Sequence, residues 1–145
     1  MKKNILLTCL FVVLCYTVHA QEWHTNMDEA KKIASTNNEK ILLVFQGSDW
    51  CAPCMKLDKQ IFQTEEFQGL VKNNFVMLKA DFPRKKANKL SPELEAQNAK
   101  LAETYNTQGF FPLVVVLDKT GKLLGKMGYE NISPKEYYNK ILAIK

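Results

Sequence analysis

Cys51 and Cys54 stand two residues apart in the stretch "GSDWCAPCMKLDK", Gly47 to Lys59. Such a pair can staple a chain, hold part of a metal site, or carry electrons by closing and opening a disulfide. A zinc or iron–sulfur site asks for about four ligands. Beyond the first twenty residues the chain offers these two cysteines and His24, far away in sequence, so no metal is expected here. A staple across two residues closes a very short loop and adds little chain-entropy stabilisation. The redox reading stands ahead of both.

Its physical logic lies in position. The pair follows an apolar run and opens a helix-like run. A first cysteine at a helix N-terminus meets unpaired N–H groups and the positive end of the dipole. These favour the thiolate, which is the attacking form. Cys54, about one turn on, is placed to close the disulfide and resolve a mixed one. Pro53 fits the first turn, where its missing N–H removes a donor that is unpaired anyway.

The elements that must hold this pair are legible around it. "ILLVF", Ile41 to Phe45, is a continuous apolar run, expected of a strand buried on both faces. Met27 to Thr36 carries helical spacing, with Asn26 or Asp28 as cap. Cys51 to Val71 reads as one long helix, with Leu57, Ile61 and Phe62 on one side. Phe75 to Lys79 reads as a strand. Ser91 caps a helix running to Tyr105, with Pro92 at its first position. "LVVVLD", Leu113 to Asp118, is a β-branched strand opened by Pro112. "DKTGK" is a turn into Lys122 to Met127, and Ser133 to Glu136 has the form of a capping box for a last helix. Strands alternating with helices predict an α/β fold with a partly parallel sheet, its two final strands antiparallel.

The start of the chain is different. Lys2 and Lys3 precede an apolar run, Ile5 to Val18, and Val18-His19-Ala20 offers small residues at a cut. This is the pattern of a secretory signal peptide over residues 1–20, cleaved after Ala20. The run is shorter than the roughly 20 residues a membrane-spanning helix needs. Cleavage would remove Cys9 and Cys15, lower the formal charge from +5 to +3 with Lys2 and Lys3, and leave one domain over 21–145. Export to the periplasm or the extracellular space brings an oxidising compartment in which disulfides persist. About 125 residues can bury a core without staples, so stability does not require the pair. Arg84 to Lys89, "RKKANK", has only Phe82 as a neighbouring aromatic, which speaks against nucleic acid. The charged segment from Phe82 to Leu90 reads as an exposed excursion or a partner-contacting loop. His24 reads as a surface or edge residue.

Together "DWCAPC", "FFP" before an apolar strand and the "DKTGK" turn resemble the thioredoxin superfamily, over roughly Met27 to Ile144. The resemblance implies a three-layer fold, with a central mixed sheet of four to five strands flanked by helices. It implies that Cys51 is the exposed nucleophile and Cys54 a more buried resolving thiol. It further implies a cis bond between Phe111 and Pro112 packed on the disulfide, with the backbone before the proline pairing with an extended substrate. Trp50, Ala52, Pro53, Phe111 and Pro112 would form the substrate-binding rim, although Trp50 is also open to a plain packing role. Cytosolic thioredoxin carries a buried Asp six residues before the first cysteine, where this chain has Phe45. Its Lys partner corresponds to Met77, and Met55 stands where a Lys is common.

The expected function is an exported protein-disulfide reductase that uses no metal or organic cofactor. Electrons would return from a separate, membrane-bound partner. Substrates would be disulfide- or thiol-bearing proteins, and the chain would be a monomer. Ala52-Pro53 resembles the Gly-Pro of reductases and lacks the His of oxidases and isomerases. Oxidase or isomerase activity, and a binding module with a passive disulfide, are the alternatives.

Overall fold

The computed structural model describes residues 22–145, so the leader expected over 1–20 lies outside them. The elements are β1 (Trp23–His24), α1 (Met27–Asn37), β2 (Lys40–Gln46), α2 (Ala52–Leu57), a π-helical stretch (Asp58–Phe62), α3 (Glu65–Val71), β3 (Phe75–Asp81), a 3-10 turn (Lys86–Asn88), α4 (Pro92–Tyr105), β4 (Leu113–Leu117), β5 (Leu123–Met127) and α5 (Pro134–Ala143). The strands form one sheet in the order β1-β3-β2-β4-β5. β2 runs parallel to β3 and antiparallel to β4, so the apolar runs of β2 and β4 lie side by side near the centre of the sheet. β5 returns antiparallel to β4. This is the mixed sheet flanked by helices that the motif order implies.

Strand alternation sorts the core into two layers. Ile41, Leu43 and Phe45 of β2 face Met27, Ala30 and Ala34 of α1 and Leu101 of α4. Leu42 and Val44 face Leu57, Ile61, Phe67 and Val71, with Tyr137 and Ile141 of α5. The helices begin on side-chain caps at Asn26, Ser91 and Ser133. Ser133 and Glu136 complete a reciprocal capping box.

Three expectations need correction. The long helix over 51–71 is broken at Gln63 and Thr64. The π-helical stretch ends there, and Thr64 turns extended; its hydroxyl donates to Ile61 O at 2.6 Å and accepts from Phe67 N at 3.3 Å, capping α3. On a continuous helix, residues five apart point about 140° from each other. The break instead lets Phe62 and Phe67 meet, with ring centroids 5.2 Å apart, and both rings pack near Tyr137. β1 was not expected, because two residues carry no periodicity; it pairs with Met77 and Leu78, and Trp23 packs edge-on against Phe62. β3 runs past Lys79 to Asp81, which carries its end to the site.

Candidate redox site

β2 ends at Gln46, and a tight turn brings the chain to α2. Cys51 N donates to Gly47 O at 2.9 Å. Gly47 is required by packing: a Cβ there would lie 2.2 Å from the Trp50 indole. Cys51 is the N-cap of α2, and its Sγ accepts from Cys54 N at 3.3 Å. Cys51 and Cys54 form a disulfide, with Cα atoms 5.2 Å apart. Ala52 and Pro53 make the first turn and are exposed.

Cys51 is not the more exposed of the two. Each cysteine is 4% exposed. As N-cap, Cys51 turns its sulfur back onto its own helix turn rather than outward. The Phe111–Pro112 peptide is cis, and Pro112 is buried at the head of β4. Trp50 is half-buried and packs edge-on against Phe111, with centroids 5.5 Å apart. Phe111 also touches Phe82, and Phe82 stacks on Phe45. Pro53, Phe111, Pro112 and Tyr129 line an open hollow of about 350 Å³, with Phe110 standing 57% exposed at its edge. Of the seven residues singled out in the sequence, Trp50 meets Phe111 and Pro53 shares the hollow with Phe111 and Pro112, while Cys51, Ala52 and Cys54 lie beside Trp50 and Pro53 on the same turn.

The comparison with cytosolic thioredoxin pointed to the wrong face of β2. Phe45 belongs to the layer against α1 and α4, away from α2. The β2 side chain that shares a recess with Cys54 is Gln46, the next residue. Ser48 and Asp58 also line this recess of about 60 Å³, which has room for a water. Met77 lies on the α2 side of the sheet, inside the apolar layer. Asp58, four residues after Cys54, is the titratable group in the recess lining.

The segment from Phe82 to Leu90 is anchored beside the site. The Asp49 carboxylate accepts from Arg84 N and Lys85 N, both at 2.9 Å, and from Asn88 Nδ2 at 3.0 Å. These donors, led by the Arg84 backbone N–H, hold Asp49 down at about 2. Trp50 Nε1 donates to Phe82 O at 2.7 Å. The Arg84 guanidinium lies 3.8 Å from the centroid of the Trp50 ring. Asp81 is held in turn by Ser48, through its backbone N and its hydroxyl. His24 sits on edge strand β1, away from this cluster. Asp49, Asp58 and Gln46 are not singled out by sequence reasoning, and Arg84 stands out only as part of a basic run; Asp49 is visible as the residue before the Trp-Cys pair, but its partners lie more than thirty positions away.

The chain matches the thioredoxin-like domain family over residues 27–143. It is 35% identical over 113 residues to the disulfide bond reductase DsbH of Chlamydia pneumoniae, covering 78% of this chain and 66% of that protein. It is 30% identical over 87 residues to the thioredoxin-related protein DsbJ of the same organism, covering 54% of this chain and 25% of that protein. The chain therefore spans about two thirds of one curated relative and a quarter of the other. A solved DsbH oxidoreductase superposes with a TM-score of 0.78 at 32% identity, covering 85% of this chain and 83% of that one. With its fold, its Cys51–Cys54 disulfide and these relatives, the chain belongs to the thioredoxin-like family, as a member carrying the two-cysteine centre of its thiol–disulfide oxidoreductases.

Proposed function

We propose that this chain reduces disulfides in exported protein substrates. The observation that carries the reading is the Cys51–Cys54 disulfide capping α2, set beside the Phe111–Pro112 segment. In the reduced form the Cys51 thiolate attacks one sulfur of a substrate disulfide. That bond breaks, one substrate thiolate leaves, and a mixed disulfide forms. Cys54 then gives up its proton and attacks Cys51 Sγ. The second substrate thiolate leaves, and the Cys51–Cys54 disulfide closes. Two electrons pass to the substrate, whose thiolates take up protons.

The residues around the pair serve these steps. The Cys54 N–H that points at Cys51 Sγ stabilises negative charge there. Asp58, one turn after Cys54 in the lining of the same recess, takes its proton through a water, the role that the Phe45 position cannot fill. The backbone before Pro112 receives the extended substrate, while Trp50, Ala52, Pro53, Phe111 and Pro112 form its apolar rim. The likeness to a disulfide bond reductase supports the direction of electron flow. So does Ala52-Pro53, which places no histidine between the cysteines. The leader over 1–20 directs export, and a membrane-bound partner returns electrons to the monomeric chain.

Cys54→Ser removes the resolving thiol while Cys51 still attacks. The reading expects stable mixed disulfides between Cys51 and exported proteins, released by reductant. A variant that traps nothing, with a Cys51 thiol no more reactive to alkylation near neutral pH than free cysteine, would point to the binding module instead.

A further inference from the structure

The segment "RKKANK" is a solvated charge run whose backbone the structure ties to the turn that carries Cys51. Both oxygens of Asp49 are taken by its N–H groups. Phe82 N donates to Gln46 O, and Phe82 packs on Phe45 and Phe111. Asn98 Nδ2 holds Asp81 O from α4. Arg84 rests on Trp50, the residue bonded to Cys51. The anchoring groups are mostly backbone, so the charged side chains remain outside and exposed.

None of those charges forms an ion pair among the described residues. Among the described residues the ion pairs are His24 with Glu29 and Lys140 with Glu130, both elsewhere. The two carboxylates of this rim, Asp49 and Asp81, are engaged by Arg84, Lys85 and Asn88 donors and by Ser48, with no cationic side chain in contact. Arg84, Lys85, Lys86 and Lys89 thus stand within six residues on this rim without an ion pair, with Arg84 lying over Trp50 and the Lys85 charge near enough to Asp49 to help lower its pKa. Trp50 and Phe111 connect this rim to the apolar hollow at Pro53, Pro112 and Tyr129.

We propose that the 84–89 rim selects substrates whose reacting cysteine is flanked by acidic residues, one side of the peptide meeting the cations and the other the hollow. The inference rests on the reductase reading and adds the substrate class. Fixed charges at a rim act chiefly on encounter and orientation, and they are screened by salt.

The test uses the pre-reduced protein and three peptides that differ only in the residues flanking one cysteine: two glutamates, two glutamines or two lysines. Each is a mixed disulfide with 2-mercaptoethanol. Each rate constant is divided by that peptide's rate with dithiothreitol, which removes its intrinsic reactivity. The glutamate peptide should react roughly three- to tenfold faster than the lysine peptide at low salt, with the glutamine peptide between them. The gap should shrink at high salt. The variant K85Q/K86Q/K89Q, which keeps every backbone anchor, should narrow it to less than about twofold while the glutamine peptide keeps its rate. Equal normalised rates, or a preference that survives in that variant, would overturn the inference and leave the reductase reading intact. Failure to reduce even the glutamine peptide would refute the reductase reading and this inference with it.

Discussion

Placing a carboxyl at Phe45 or at Gln46 should have very unequal costs, although the two residues are neighbours on β2. Phe45 is fully buried between the sheet and α1 and α4. Truncating such a side chain costs about 3–5 kcal/mol in lost burial and cavity. Phe45→Asp adds the cost of a carboxyl among apolar groups. Its folded pKa would rise above the ordinary Asp value, and a rise of about 3 units adds about 4 kcal/mol once the unfolded chain is ionised. The total, about 7–9 kcal/mol, rivals the whole stability of a domain of this size. A raised folded pKa means the added penalty is absent below the unfolded value and grows as pH rises toward the folded one. Gln46, 8% exposed and lining the polar recess at Cys54, should accept Asp at a cost of about 1 kcal/mol. Urea melts of the disulfide form at pH 4 and pH 8 measure both, with Phe45→Ala as the reference for burial alone. Comparable stability of Phe45→Asp and the parent, or a larger loss in Gln46→Asp, would refute the assignment of the two strand faces.

Asp58→Asn should leave the first attack by Cys51 unchanged and slow resolution by Cys54 by about tenfold, short of the roughly 10²-fold of a directly placed base; single-turnover kinetics with a trapped mixed disulfide separates the steps. Ser133→Ala should cost about 1 kcal/mol, read from thermal melts, by removing the cap of α5. The Ser133 hydroxyl, with the Ser133 backbone N–H, also lowers the Glu136 pKa. A lowered folded pKa gives stability that is present above the unfolded value and lost as pH falls through the folded one. The melting temperature should therefore drop on acidification, and less so in Ser133→Ala.

The parts of the fold that announce themselves locally were readable. The apolar runs of β2 and β4, Ser91-Pro92 at α4, and the Ser133–Glu136 box each carry their signal within a few residues. The redox pair was readable too, because cysteine spacing and position are themselves the signal. Thr64 escaped notice: the apolar pattern continues across it, and only the packing of Phe62 and Phe67 together demands the break. Gln46 carries no such signal, because a count back from Cys51 does not tell which strand face points at α2. Asp49 carries no local sign of its work, since its donors come from Arg84, Lys85 and Asn88. A charge run looks solvated until something distant ties it down.

A reductase needs Cys51 and Cys54 to form a reducing couple. The most direct test is the reduction potential of the pair against glutathione, with both thiols counted before and after. A reducing couple should give a value of about −270 mV, in the range of strong protein reductants. A value nearer about −120 mV would make the chain an oxidant and contradict the reading of Ala52-Pro53.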